Sequence, residues 1–324
     1  MHFSICTVHF ALKEEMAEAS LVEELRRISG LKVKLAEPLA RYVSMKIGGP
    51  ADFFVEVEIG AALAQLLPLL KHHRTPICFL GNGSNVLISD RGVRGAVIRL
   101  AGEFKRAESR EEGETVWLEV GAACALTQLV REAARKGYAG LEFAEGIPGT
   151  VGGALVMNAG AYGSEFEKIV DGVEGIDSDG RAFRYSREEI AFTYRDSHWP
   201  QAAVVTRVRM RLRKEEAAQV SSKVRALVAK RKSSQPSGYP NSGSMFRNPP
   251  GDFAGRLIEA AGLKGKRIGR AQISERHANF IVNLGGAKAE DVRSLMELAR
   301  AEVKKQFAVE LLAEVKLLGE WDAE

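Results

Sequence analysis

Glu314 sits in the middle of an apolar alternation over residues 309–318. Val309, Leu311, Ala313, Val315 and Leu317 share one face, and Glu310, Leu312, Glu314, Lys316 and Leu318 the other. A carboxylate there is costly to bury unless it is paired or functional, and a solvent-facing edge position explains it equally well. A second suggestive stretch is 146–163, GIPGTVGGALVMNAGAYG, which holds six glycines and has Pro148 to stiffen its first turn. Backbone without Cβ atoms can approach a flat or charged ligand closely, and successive N–H groups can bind phosphate oxygens. The apolar Ala154-Leu155-Val156-Met157 argues that this segment is buried. Buried glycine-rich backbone needs hydrogen-bond partners, which a ligand can supply. A third candidate is Gly81-Asn82-Gly83-Ser84-Asn85, directly after the apolar run 77–80. It could cradle a phosphate, and an ordinary Asn/Gly-rich turn accounts for it equally well. It is not a Rossmann fingerprint, because Val86 stands where the third glycine would be. It is not a Walker loop either, because no Gly-Lys-Ser/Thr follows.

Composition narrows the ligand class. The 324 residues suit two or three domains, and 45% apolar content supplies a core without disulfides. A net charge of +4 is too mild to argue for nucleic acid and suits an anionic small molecule. The three cysteines, Cys6, Cys78 and Cys124, show no CxxC spacing, and the histidines no HxxxH or HExxH pairing. No metal site is therefore expected, and a reducing compartment is the simplest inference. No apolar run reaches membrane-spanning length. The opening MHFSICTVHFALKEEM has no basic n-region and no small-residue cleavage site, so it is not read as a signal peptide. Met16 is an alternative start.

The elements that must position these stretches follow from periodicity. A helix is predicted over 18–28 on Leu21, Leu25 and Ile28, and a strand over 53–57 after Gly48-Gly49-Pro50. A helix over 61–73 should kink or break near Pro68. Strands are expected at 77–80, 96–100 and 115–120, with an amphipathic helix over 125–136 stopped by Gly137. Residues 169–176 and 182–185 read as a hairpin. Residues 203–213 alternate Val204, Thr206, Val208, Met210 and Leu212 against Val205 and four arginines, whose face should be solvated. A boundary falls at Lys214, followed by a helix over about 215–231. Residues 233–250 hold too many breakers for a helix or central strand. Asp252 should cap a helix ending at Ala261. Strands over 267–274 and 279–283, a strong helix over 290–307 and a last strand over 309–318 complete the chain.

In order along the chain stand IGGPAD (47–52), GNGSN (81–85), GIPGTVGGALVMNAGAYG (146–163), YRDS (194–197), GSMFRNP (243–249) and AEVKLLG (313–319). Together they resemble the UDP-N-acetylenolpyruvoylglucosamine reductase family over about residues 42–319. The resemblance implies an α/β and α+β fold: a two-part FAD-binding module of the vanillyl-alcohol-oxidase type plus a C-terminal α+β substrate domain. It divides the chain into an extension (1–19), FAD-binding subdomain 1 (20–90), subdomain 2 (91–213), a substrate domain (214–307) and a C-terminal strand and tail (308–324). Strand 308–319 should rejoin subdomain 1.

The reaction implied begins with NADPH, which gives hydride to FAD. The enolpyruvyl group of a UDP-sugar then receives that hydride at its terminal carbon and a proton at the adjoining carbon. The FAD contacts implied are Gly81, Asn82, Gly83, Ser84, Asn85, Gly146, Ile147, Pro148, Gly149, Val151, Gly152, Gly153 and Asn158. Arg195 would pair with the substrate carboxylate through its planar fork, Ser244 would donate the proton, and Glu314 would stabilise the enol form as a neutral acid. Asn248, Arg231, Lys264 and Tyr239 are the implied substrate contacts. Lys316 stands where some relatives carry arginine, and a single ammonium cannot make the same bidentate contact. The short stretch between Arg195 and Ala203 implies the compact form without an extra tyrosine loop. A cytoplasmic monomer with no nucleic-acid or membrane partner is expected. Two other readings compete: an oxidase on the same flavin fold, and a non-enzymatic module for an anionic partner.

Overall fold

The computed structural model describes residues 19–200 and 203–321. The expected extension, the Met16 start and Cys6 lie outside the described residues, apart from Ala19, which opens the first helix. That helix, α1, covers 19–27, with Leu21 and Leu25 buried. Strands β1 (Leu31–Pro38) and β2 (Pro50–Val57) follow, then helix α2 (Gly60–His72) and strands β3 (Ile77–Phe79), β4 (Val86–Ile88) and β5 (Val93–Leu100). They form a sheet of order β1-β2-β5-β3, in which β2 and β3 run parallel to β5. Strand β4 stands apart from it, and its partner comes from the far end of the chain.

Helix α2 runs unbroken through Pro68, against expectation. Leu63, Leu66, Leu67 and Leu70 are all buried on one face. A mid-helix proline costs about 3 kcal/mol. Each buried leucine returns roughly 1.5–3 kcal/mol, so packing wins. The Ala64 carbonyl, which loses its helical donor to Pro68, lies against Gly180 of a later turn, where a Cβ would come 2.2 Å from that oxygen.

The second unit is antiparallel. Strands β6 (Ala107–Glu112) and β7 (Thr115–Gly121) lead to helix α3 (Leu126–Lys136), which Gly137 ends at φ +75°. Short strand β8 (Tyr138–Ala139), helix α4 (Val151–Val156) and the pair β9 (Gly160–Ala161) and β10 (Ser164–Glu165) follow. The expected hairpin is β11 (Val170–Ile176) and β12 (Ala182–Ser186), and the arginine strand is β13 (Val204–Lys214). Sheet order is β12-β11-β13-β7-β6, with β8 beside β13. The arginine face is solvated as expected, with Arg209, Arg211 and Arg213 exposed, and it also meets acids: Arg207 pairs with Glu119 at 3.0 Å and Arg209 with Asp171. Helix α5 (Ala217–Ser234) buries Val220 and Val224 in the core of this unit.

The third unit holds β14 (Asn241–Ser244), α6 (Ala254–Ala260), β15 (Arg267–Ile268), β16 (Ala271–Ile273), β17 (Phe280–Asn283) and α7 (Ala289–Phe307). The sheet order β14-β17-β16-β15 places β14 at an edge, which a breaker-rich segment can occupy. The predicted strand 267–274 is two strands around Gly269, a tight turn at φ +51°. Asp252 does not cap α6. Phe253 holds the N-cap position, and Asn248 Oδ1 accepts the Ala254 N–H at 3.1 Å. Two cross-links tie this unit to the first. Asn283 Nδ2 donates to the Met45 carbonyl, and the Asp90 carboxylate accepts the Ala289 N–H at the start of α7.

Residues 309–318 form no continuous strand. The backbone changes partner midway: 312–314 run beside Phe246 and Met245, and only β18 (Lys316–Leu318) pairs, parallel, with β4. Leu311 and Val315 are buried, whereas Leu312 and Leu317 are exposed. Two neighbours in succession break the strict two-face alternation.

Candidate active site

Arg195 crowns a tight turn closed by two hydrogen bonds, Thr193 N–H to the Asp196 carbonyl at 2.8 Å and Asp196 N–H to the Thr193 carbonyl at 3.1 Å. The feet of the turn are fixed on the second unit. Asn158 Nδ2 donates to the Thr193 carbonyl, and Ser197 donates from both N–H and Oγ to the Val156 carbonyl. Arg195 itself has φ +60°, a left-handed conformation that costs a non-glycine residue energy and persists only where its surroundings enforce it. Its Nη2 donates to the Gly160 carbonyl at 2.9 Å, and its Nε lies 3.3 Å from Glu314 Oε1. A Cβ on Gly160 would come 3.0 Å from Arg195 Nη1, so the bare glycine makes room for the guanidinium.

Glu314 arrives from the other end of the chain. Its N–H donates to the Met245 carbonyl at 2.8 Å, and its carbonyl accepts from Asn85 Nδ2 at 3.1 Å. Ser244 is the residue before Met245, so hydroxyl and carboxyl rise from adjacent backbones. Burial pushes the Glu314 carboxyl above its ordinary pKa, while Arg195, Arg247 and the hydrogen bond from Arg195 pull the other way. Ser244 Oγ has no hydrogen-bond partner among the described residues. The serine lines a cavity of about 410 Å³ together with Asn248, Phe253, Arg256, Arg276 and His277. The site thus joins a fixed guanidinium and an acid held towards its neutral form, with the unpartnered Ser244 hydroxyl one residue from the strand contact of Glu314 and facing a cavity that also holds Glu259. That set can hold a carboxylate and deliver a proton next to it.

The two glycine loops face each other. Ser84 Oγ donates to the Pro148 carbonyl at 2.6 Å, and Asn82 Nδ2 to the Gly149 carbonyl at 3.1 Å. Among the described residues the N–H groups of Gly81, Asn82, Gly83, Ser84 and Asn85 find no acceptor. Five successive unpaired donors fit a diphosphate. Gly153 is exposed at the start of α4, and a Cβ there would meet a single atom, Thr150 Oγ1, at a tight 3.3 Å.

Comparison with known proteins decides between the readings. Residues 51–186 match the family described as "FAD binding domain", and residues 235–318 match "UDP-N-acetylenolpyruvoylglucosamine reductase, C-terminal domain". The chain is 50% identical over 289 residues to UDP-N-acetylenolpyruvoylglucosamine reductase 2 of Symbiobacterium thermophilum, covering 89% of this chain and 92% of that protein. It is 46% identical to the enzyme of that name from Heliobacterium modesticaldum, over 88% of this chain and 90% of the relative. The crystal structure of the Thermus caldophilus reductase superposes with a TM-score of 0.76 at 40% identity, over 89% of this chain and 98% of that one. The chain belongs to the UDP-N-acetylenolpyruvoylglucosamine reductase family. Its fold is a two-part FAD-binding module followed by an α+β C-terminal domain, and it is an FAD oxidoreductase.

Within this reductase fold the expected contacts separate by geometry. Gly81–Asn85, Gly149 and Gly153 lie at the facing loops, with Ile147 and Pro148 between Gly146 and Gly149. Three others are occupied within the protein. Val151 is buried with its N–H on the Cys124 carbonyl, and Gly152 packs against Ala122, where a Cβ would meet Ala122 Cβ at 2.8 Å. Asn158 is fully buried, donates to Glu165 and Thr193 and accepts the Glu167 N–H. These hold the loop in shape; both Asn158 amide hydrogens are spent within the protein, so its side chain has no donor left for FAD. Asn85 does two jobs, offering its N–H at the loop and fixing Glu314 through its side chain. Gly146 is glycine because Arg231 crosses it, its Cδ 2.5 Å from where a Cβ would be. Burial lowers the pKa of Arg231.

Asn248 lines the cavity near Ser244. Lys264 pairs with Glu259 at 2.7 Å. Tyr239 is exposed, with only its carbonyl engaged, by Asn241. Sequence reasoning missed Arg247, Arg256, Arg276 and His277. Periodicity carries no signal for them, since each sits at a loop or helix start and gains meaning only from tertiary neighbours.

Proposed function

We propose that this chain reduces UDP-N-acetylglucosamine enolpyruvate to UDP-N-acetylmuramate with NADPH, a step of peptidoglycan precursor synthesis. The observation that carries the reading is the meeting of Arg195 and Glu314, from distant parts of the chain, with Glu314 held by the Met245 carbonyl next to Ser244 on one side and by Asn85 of the glycine loop on the other. FAD, when bound, would supply the two-electron redox chemistry that links NADPH to the enolpyruvyl group. The amides of Gly81–Asn85 are suited to its diphosphate. Arg195, already braced by Gly160, would hold the substrate carboxylate through its planar fork. Glu314 in its neutral form would donate to that carboxylate as negative charge builds on it. Ser244 would give its proton to the carbon next to the carboxylate, giving the lactyl ether. A serine hydroxyl is a weak acid, so the neighbouring guanidinium groups are needed to favour its ionised form. Of the cavity's cations, Arg256 is paired with Asp252, while Arg276, whose guanidinium is held among the described residues only by the Ser233 carbonyl, suits a diphosphate.

The return of 308–319 to the first unit is supported by the pairing of β18 with β4, whereas the boundaries expected at 90/91 and 213/214 both move later, because β5 (Val93–Leu100) belongs to the first sheet and α5 (Ala217–Ser234) packs on the second core. No helix among the described residues is long and apolar enough to cross a membrane. The test is the visible spectrum of purified protein under nitrogen. The reading requires a yellow protein that NADPH bleaches and the enolpyruvyl sugar recolours. A colourless protein, or a bleached one that only oxygen recolours, would refute it.

A further inference from the structure

Arg247 stands three residues after Ser244, in the GSMFRNP stretch, and reaches across to the turn that carries Arg195. Its Nη1 lies 3.4 Å from the Tyr194 carbonyl and its Nη2 3.4 Å from the Arg195 carbonyl, with Asp196 Oδ2 at 3.8 Å. Its own N–H donates to the Leu312 carbonyl at 2.9 Å, two residues before Glu314. Its Nε is buried and has no hydrogen-bond partner. A single side chain therefore touches the Arg195 turn while its backbone is tied to the segments that bear Ser244 and Glu314. The feet of the turn are anchored by Asn158 and Ser197, but the crown, where Arg195 takes φ +60°, has Arg247 as the guanidinium on its carbonyl groups. A strained conformation persists only where neighbours over-determine it.

We propose that Arg247 is a positioning residue that presents Arg195: by spanning the carbonyl groups of Tyr194 and Arg195 it locks the crown of the turn, and it makes the placement of Arg195 depend on the docking of the C-terminal domain. This rests on the proposed reductase reading. The planar fork can reach two carbonyls at once, whereas a lysine ammonium is a point donor on a flexible stem. Arg195 then faces the site correctly only when the strand of Ser244 is in place. Displacing a positioned group by about 1 Å can cost roughly 100-fold in rate.

The test uses the full-length holoprotein and two variants, Arg247→Gln and Arg247→Lys, under nitrogen. Bleaching by NADPH and recolouring by the enolpyruvyl sugar are timed separately. Both variants should keep their FAD and bleach within about twofold of the parent, because Arg247 touches neither glycine loop. Recolouring should slow roughly 10- to 100-fold, with Lys rescuing only part of the loss. The charged groups facing Glu314 are Arg195 from the turn and Arg247 from the C-terminal domain, with Asp196 behind Arg247. Losing one of the two cations should therefore move the pH profile of recolouring to higher pH in the Gln variant, which a merely structural role would not do. Combining Arg247→Gln with Arg195→Lys should be scarcely slower than Arg195→Lys alone, since both act on the same guanidinium.

Recolouring at the parent rate, losses that multiply in the double variant, or FAD lost from both single variants would overturn the proposal. A parent protein that fails to bleach or recolour would instead sink the reductase reading itself, so the two failures are distinguishable.

Discussion

Replacing Glu314 with glutamine keeps the shape of the side chain and removes its acid. Arg195 Nε is 3.3 Å from Oε1. At an effective dielectric of about 20, a full charge pair at that distance attracts by about 5 kcal/mol. Arg247 adds a pull in the same direction, yet the carboxyl pKa is raised, with burial as the largest cause. Desolvation of the ionised form therefore outweighs both arginines, and Glu314 keeps its proton to higher pH than an ordinary glutamate. Glutamine cannot supply that proton as charge develops on the substrate. Loss of one such stabilising donor costs about 10²- to 10³-fold, or roughly 3–4 kcal/mol.

The assay is anaerobic stopped flow across a pH series, with protein first reduced by NADPH and then mixed with the enolpyruvyl sugar. The parent rate should fall as pH rises through the elevated Glu314 pKa. The Glu314→Gln rate should lie at least about 100-fold lower and lack that limb. Stability gives an independent check. A folded pKa above the unfolded value means that the folded chain holds the extra proton between the two. The stabilisation is then complete below the unfolded value and is lost as pH rises through the folded one. Glu314→Gln should gain on the parent in melting temperature across that window. Recolouring of the variant within twofold of the parent, or a parent rate that climbs through the limb, would refute the neutral-acid role.

Three further outcomes follow from the packing. Gly153→Val should strip FAD from the purified protein with a smaller loss of stability, since its Cβ would crowd only Thr150 Oγ1, at 3.3 Å; full occupancy by absorbance would mean the cofactor lies elsewhere. Gly152→Ala should do the reverse and lower the melting temperature, because its Cβ would meet Ala122 Cβ at 2.8 Å. Asp90→Ala should remove the cap that the first unit places on α7 and cost about 0.5–2 kcal/mol in urea unfolding, with FAD content unchanged.

The glycine loops were legible because absent side chains leave a direct mark on sequence, although the pairing of their amides does not. Glu314 was legible as an anomaly, a carboxylate among apolar neighbours, but its partner was not. Nothing in periodicity connects residue 314 with residue 195, and only the family resemblance joined them. Helix α2 defied its proline because four leucines on one face outweigh one missing hydrogen bond. The end of the chain defied its alternation because residues 312–314 and 316–318 answer to different neighbours. Arg247 was invisible because its role lies in two carbonyl groups of a distant turn, and backbone carbonyls leave no trace in a residue pattern. Asn158, implied as an FAD contact, is also a buried brace for the Arg195 turn, a role that needs the tertiary neighbours Glu165 and Thr193 to be seen.

The central claim is that Ser244, Arg195 and Glu314 act together on the second half of the reaction while the loops alone serve the first. Anaerobic mixing of Ser244→Ala protein, first with NADPH and then with the enolpyruvyl sugar, tests it in one trace of flavin absorbance. Bleaching at the parent rate followed by no recolouring is the outcome expected. Recolouring at the parent rate, or equal loss of both phases, would contradict it.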